Sequence, residues 1–190
     1  MAPGIFNDWD TFSMDRLWAP WRLSYMTGST PTQRDASCFL CLAAGIEDST
    51  NFSGENLLIH RSAHTFTILN RFPYSSGHLL VSPIKHVDSL ENLDPVESLD
   101  LMAQLQNSTR ALKLALRPDG FNVGINLGHT AGAGVPGHLH VHVVPRWSGD
   151  HNFMPVTGQT RVMPMLLEDS WKTIHKAYAE IVANSQLDRV

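Results

Sequence analysis

The stretch GHLHVHVVPRW, residues 137–147, sets three histidines two residues apart inside an otherwise apolar run. An extended strand projects alternate side chains to one face, so His138, His140 and His142 point the same way; a helix would align only His138 with His142. Leu139, Val141 and Val143 suit a strand, and Pro145 is expected to end it. The stretch therefore reads as a strand with one apolar face and one imidazole face. Upstream, GHTAGAGVPG (128–137) is a glycine-rich loop, and FNVGINL (121–127) is a further strand entered through an Asp119-Gly120 turn.

The rest of the chain supplies partners for these strands. LLIHR (57–61), HTFTILNRF (64–72) and HLLVSPI (78–84) are apolar runs separated by turn residues such as Ser75, Ser76 and Gly77. Asp94 then reads as a helix N-cap, with Pro95 at the first position and Glu97 at the third. Leu101, Leu105, Leu112 and Leu116 recur at nearly helical spacing until Arg117 meets Pro118. A final helix carries Leu167, Trp171, Ile174, Tyr178 and Ile181 in one stripe, a packing face. The pattern predicts an α+β fold: an antiparallel sheet with a long helix between the second and third core strands and a C-terminal helix. A single domain over 1–190 is expected. Residues 1–36 form an aromatic N-terminal arm (DRLWAPWRLSYM, 15–26), 37–147 the core, and 148–190 a loop and the last helix.

Composition narrows the function. With 43% hydrophobic and 17% charged residues in 190, this is ordinary globular protein. No run of about eighteen apolar residues is present, so no membrane span is expected. The N-terminus lacks the basic-then-apolar layout of a signal peptide. Cys38 and Cys41 are the only cysteines, which fits a reducing, cytoplasmic setting rather than a disulfide framework. A net charge of −4 argues against nucleic-acid binding, so an anionic ligand must be held by local groups.

What could three aligned imidazoles do? Side chains at i and i+4 of a strand lie roughly 13 Å apart, from about 3.3 Å rise per residue. Zinc–nitrogen bonds are about 2.0–2.1 Å long, so one ion cannot hold all three. Nucleophilic catalysis at phosphorus fits better. A neutral imidazole has one lone-pair nitrogen, selected by the hydrogen bond that the other makes, and neighbouring imidazoles can bond the phosphoryl oxygens. The glycine loop offers backbone N–H groups to the same anion. A non-catalytic binding module for a phosphorylated ligand and a purely structural metal protein are the rival readings. The first has no need of a nucleophile, and the strand geometry opposes the second.

His138-Leu-His140-Val-His142-Val-Val144 resembles the H-x-H-x-H-hydrophobic-hydrophobic motif of the histidine triad superfamily of nucleotidyl hydrolases and transferases. The resemblance runs from about Cys38 to Trp147, through the strand–strand–helix–strand–strand order. LNRFPYSSGHLLVSP, with Asn70 eight residues before His78, is similar to the nucleotide-binding hairpin of that family. RLWAPWR and PRWSGDHNFMPV resemble the bacterial branch of diadenosine tetraphosphate phosphorylases.

The resemblance implies that His140 attacks the α-phosphorus and carries the nucleotidyl group. His142 and His78 would bond the phosphate oxygens, Asn70 the ribose, and Asn126 a phosphate or the leaving group. Many hydrolases of the superfamily place Gln and Ser or Thr before the triad, where this chain has Gly134-Val135-Pro136. Backbone N–H groups of Ala133, Gly134 and Val135 would take over. The open space, together with the resemblance of RLWAPWR and SGDHNFMPV to the phosphorylase branch, favours inorganic phosphate over water as acceptor. Diadenosine tetraphosphate would then give ATP and ADP; the alternative is a hydrolase of dinucleoside polyphosphates or nucleoside phosphoramidates. Arg146 could attract that acceptor, or could equally be an exposed structural arginine.

Cys38-Phe-Leu-Cys41 alone is compatible with half a zinc site, a redox pair or two reduced thiols. Zinc-bearing members of the superfamily imply His86 and His138 as the other two ligands of a structural Zn2+, with His60 and His64 as competitors. His129, His151 and His175 receive no role. Members are commonly dimers, so a homodimer is expected, with Trp18, Trp21 and Tyr25 of the arm against the partner.

Overall fold

The computed structural model describes residues 38–45, 57–150 and 163–187. All lie in the second of the two compact units, Met1–Thr32 and Gln33–Val190, into which the chain divides. The expected aromatic arm falls outside the described residues, as does His151. A short helix α1 (Phe39–Ala44) comes first, then strands β1 (Leu58–Arg61), β2 (Thr65–Leu69) and β3 (Leu79–Pro83). Helix α2 (Pro95–Leu116), strands β4 (Gly120–Ile125) and β5 (Val141–Arg146) and helix α3 (Leu167–Leu187) complete the order. The five strands form one sheet in the order β1-β2-β3-β5-β4, and every neighbouring pair is antiparallel. This is the expected α+β architecture.

Helix α2 begins where its sequence dictates. The Asp94 carboxylate accepts from the Val96 and Glu97 N–H groups at 2.8 Å, and the Glu97 carboxylate accepts from the Asp94 N–H at 2.9 Å. This reciprocal box satisfies donors that the first helical turn leaves free. The helix stops at Arg117, which turns left-handed with φ 50° just before Pro118. Along α3, Trp171, Ile174 and Tyr178 are buried, as the apolar stripe requires. The Trp171 indole donates to the Leu58 carbonyl at 2.9 Å, and the Tyr178 hydroxyl donates to Gln104 Oε1 at 2.8 Å. Those bonds fasten α3 to β1 and α2.

Register decides which face carries chemistry. Val141 pairs with Val81 and Val143 with Leu79; Val81 in turn pairs with Thr67. These residues share the face on which Tyr178 meets Thr67, so it is the helix-covered face. His142 pairs with Leu80 on one side and Gly124 on the other, which turns it to the opposite face. Imidazoles and hydrophobic core are thus separated by the strand period.

Two local expectations need correction. The ladder of the histidine strand begins at Val141, so His138 and His140 lie before it. There Ser82 Oγ donates to the Leu139 carbonyl at 2.7 Å, and the Leu139 N–H donates to the Val87 carbonyl at 2.6 Å. Side-chain and loop bonds replace the ladder. Nor does Pro145 end the strand, which continues to Arg146. Pairing with β3 stops at Val143, so on that side residue 145 is at an edge and its missing N–H leaves nothing unpaired.

Candidate active site

His78 follows Gly77, whose φ of +79° suits only glycine, and a Cβ there would run into the Leu116 side chain. The turn delivers His78, fully buried, beside His142. Its Nδ1 accepts from the backbone N–H of Tyr74 at 3.1 Å and lies 3.2 Å from Asn70 Nδ2. A backbone N–H can only donate, so Nδ1 of His78 carries a lone pair and Nε2 carries the proton. That Nε2–H faces His142 Nδ1 at 2.9 Å. His142 therefore accepts at Nδ1 and holds its own proton on Nε2. This last nitrogen is buried and has no hydrogen-bond partner among the described residues. A buried donor without a partner is costly in a folded chain, and its cost is recovered when an acceptor oxygen arrives.

His140 is set by different means. Its Nδ1 lies 2.8 Å from the His138 carbonyl oxygen, an acceptor only, so Nδ1 carries the proton and the lone pair sits on Nε2. The His140 and His142 rings are 5.1 Å apart, edge to face. One imidazole thus offers a nucleophilic nitrogen and its neighbour offers a donor. Both supporting rings are kept neutral: burial, then the neighbouring His142 and His140, pushes His78 down to about 3. Burial, then His140, pushes His142 down to about 4.

His138 does other work. Its Nδ1 lies 3.4 Å from both Cys38 Sγ and Cys41 Sγ, and His86 Nδ1 lies 3.0 Å from Cys41 Sγ. One donor atom from each of the four residues falls within 4.8 Å of all the others. Ligands of a tetrahedral zinc stand roughly 3.3–3.8 Å apart, given about 2.3 Å to sulfur and 2.0–2.1 Å to nitrogen. On the ring's far side, His138 Nε2 lies 2.9 Å from the Pro83 carbonyl, which fixes the proton there and turns the Nδ1 lone pair toward the sulfurs. The four residues fit a closed metal site. His60 does not belong to this cluster; its ring stacks on Tyr178 at 5.0 Å.

Beside His142 opens a cleft of about 1000 Å³, lined among others by Tyr74, Asn126, Arg146, Trp147 and Met163. The expected Asn126 faces this cleft. Asn70 does not line it: its amide is engaged with His78, and its Oδ1 accepts from the Phe72 N–H at 3.0 Å. Arg146 is tied down by Asp150 at 2.6 and 2.9 Å and by Asn122 Oδ1 at 2.6 Å, so the structural alternative describes it better than a free anion hook. In the glycine loop, the Ala133 N–H is spent on the Gly128 carbonyl at 3.4 Å. No hydrogen bond among the described residues uses the N–H of Gly134 or Val135. Tyr74 is the site residue that the pattern of the sequence does not single out. It sits in a turn, and only its tertiary contacts give it a place.

The HIT domain family model matches residues 53–149. The chain belongs to the HIT family. Over 167 residues it is 41% identical to an AP-4-A phosphorylase of Mycobacterium tuberculosis, covering 87% of this chain and 85% of that one. A bis(5'-adenosyl)-triphosphatase of Saccharomyces cerevisiae is 36% identical over 91 residues, 47% of this chain and 44% of the relative. Among solved structures, a Zn-bound histidine triad family protein from Mycobacterium smegmatis superposes with a TM-score of 0.60 at 27% identity. It covers 78% of this chain and 97% of its own. Relatives with named activities make this HIT chain an enzyme. Among its described residues no helix is long and apolar enough to cross a membrane.

Proposed function

We propose that the protein cleaves dinucleoside polyphosphates by way of a nucleotidyl group on His140, and passes that group to inorganic phosphate. The single observation that carries the chemistry is the proton arrangement: His140 Nδ1 is committed to the His138 carbonyl, while a buried His142 Nε2–H has no partner among the described residues. In the first step His140 Nε2 attacks the α-phosphorus in line. A P–N bond forms, the P–O bond to the leaving nucleotide breaks, and the imidazole keeps its Nδ1 proton on the carbonyl. The His142 Nε2–H bonds a non-bridging oxygen as charge builds there. In the second step an oxygen of inorganic phosphate attacks, the P–N bond breaks and His140 regains its lone pair. From diadenosine tetraphosphate the products are ATP and then ADP.

Phosphate rather than water is supported by the N–H groups of Gly134 and Val135, which no hydrogen bond among the described residues uses. The phosphorylase named among the relatives also aligns over most of both chains. Asn126, on the cleft, is assigned to the phosphate chain or the leaving nucleotide. Asn70 is assigned to the ribose through the hairpin it shares with His78, its amide giving up one bond to do so. Cys38, Cys41, His86 and His138 would hold a Zn2+ whose contribution is structural: it ties α1 to the segment ahead of β5. A homodimer in the cytoplasm is part of the same reading, and the half-exposed Val123 on edge strand β4 is consistent with a covered surface.

The adduct itself tests the mechanism. Wild-type protein mixed with diadenosine tetraphosphate in the absence of phosphate, then quenched in alkali and digested, should give a peptide with adenylate on His140. His140→Ala should give none, with turnover lowered at least about a thousandfold and nucleotide still bound. An adduct on another residue, or a variant keeping a tenth of the activity, would remove His140 from the role.

A further inference from the structure

Tyr74 stands where two of the reacting histidines meet. Its ring stacks on His142 at 5.8 Å and 21°, and tilts over His78 at 4.7 Å. The His78 and His142 rings are themselves 5.1 Å apart. One aromatic ring therefore covers both members of the hydrogen-bonded pair. The same residue supplies the backbone N–H that fixes the His78 tautomer. Tyr74 lines the cleft and is 52% exposed, so its position is not explained by burial in the core.

We propose that Tyr74 is a positioning residue of the reaction, its ring roofing the His78–His142 pair against water while its N–H directs the proton relay that leaves a donor on His142 Nε2. The inference rests on the reading of that Nε2–H as the donor to the phosphoryl group. Two waters' worth of access at this point would offer His142 Nδ1 an alternative donor and His78 Nε2–H an alternative acceptor, and the fixed direction of the relay would be lost. Burial first, and the neighbouring histidines second, hold both imidazoles well below their ordinary range. The other groups facing the pair do not substitute for the roof. β5 contributes His140 and, further along, Arg146 held by Asp150; β2 leads to neutral Asn70, and β4 places neutral Gly124 opposite His142.

The test uses the full zinc-loaded chain and compares wild type, Tyr74→Ala and Tyr74→Phe. Protonation midpoints of His78 and His142 are read by NMR without substrate, and kcat and KM with diadenosine tetraphosphate at neutral pH. Tyr74→Ala should raise both midpoints by about one pH unit or more and lower kcat about tenfold, with KM moved less than about threefold. Tyr74→Phe, which keeps the ring, should restore the low midpoints and most of kcat; the backbone N–H is present in all three proteins. Unchanged midpoints in Tyr74→Ala beside normal wild-type turnover would overturn the role of Tyr74 alone. So would a rise in KM with kcat preserved, since the ring would then be a surface for substrate. Wild-type protein that turns over no dinucleotide would instead overturn the functional reading itself.

Discussion

Acidification should destabilise this fold steeply, with a large contribution from two imidazoles. His78 is held down to about 3 and His142 to about 4, against an ordinary value of 6.5. Both are therefore neutral in the folded chain at a pH where the unfolded chain has already taken up the protons. The stability they represent is fully present above pH 6.5 and is lost as pH falls toward 4 and then 3. Near pH 5 the unfolded chain binds nearly two more protons at these positions than the folded one. The resulting slope is roughly 2.5 kcal/mol per pH unit. Between pH 6 and 5 that is a large share of a typical stability of about 5–15 kcal/mol. Urea unfolding of the protein at several pH values measures it, with stability extrapolated linearly to zero denaturant. Other histidines add to the total, so the decisive comparison is with His78→Leu, whose slope should be shallower by about one proton, or about 1.4 kcal/mol per pH unit. Equal slopes in the two proteins would mean that His78 is not held neutral, and the proton relay through His142 would fall with it.

Zinc should be found at about one ion per chain, and chelation should lower the thermal midpoint. Cys41→Ser should lose the metal with the same loss of midpoint, and a chelator-indifferent midpoint would show that Cys38, Cys41, His86 and His138 hold nothing. Gly77→Ala places a Cβ at φ +79° against Leu116, so it should cost at least about 1 kcal/mol and also lower kcat by moving His78. Denaturant unfolding and a rate measurement check both parts, and a neutral substitution would show that the turn is not strained by a side chain.

Much of the fold was legible because its causes are local. Asp94, Pro95 and Glu97 specify a helix start within four residues, and the Arg117-Pro118 step specifies its end. Alternation in the histidine strand correctly divides Val141 and Val143 from His142, since the strand period is a property of the backbone. What escaped the sequence depends on partners distant in the chain. The ladder starts at Val141 because Ser82 and Val87 take the bonds around Leu139, and Pro145 is tolerated because β3 has already ended. The same holds at the site. His140 and His142 announce themselves by spacing, but the tautomer of each depends on a carbonyl or a ring that only folding brings near. Arg146 is occupied by Asp150 and Asn122, Asn70 by His78, and Tyr74 enters through its stacking and its backbone N–H.

The measurement that bears most directly on the central claim follows labelled inorganic phosphate during the turnover of diadenosine tetraphosphate. On the proposed mechanism the two acceptors share the His140 step and differ only in what attacks the nucleotidyl group afterwards, so product identity separates them. Phosphorolysis predicts ATP and ADP, with the label in the terminal phosphate of ADP and a rate that rises with added phosphate. ATP and AMP, unlabelled and formed at a rate indifferent to phosphate, would contradict it and make the protein a hydrolase.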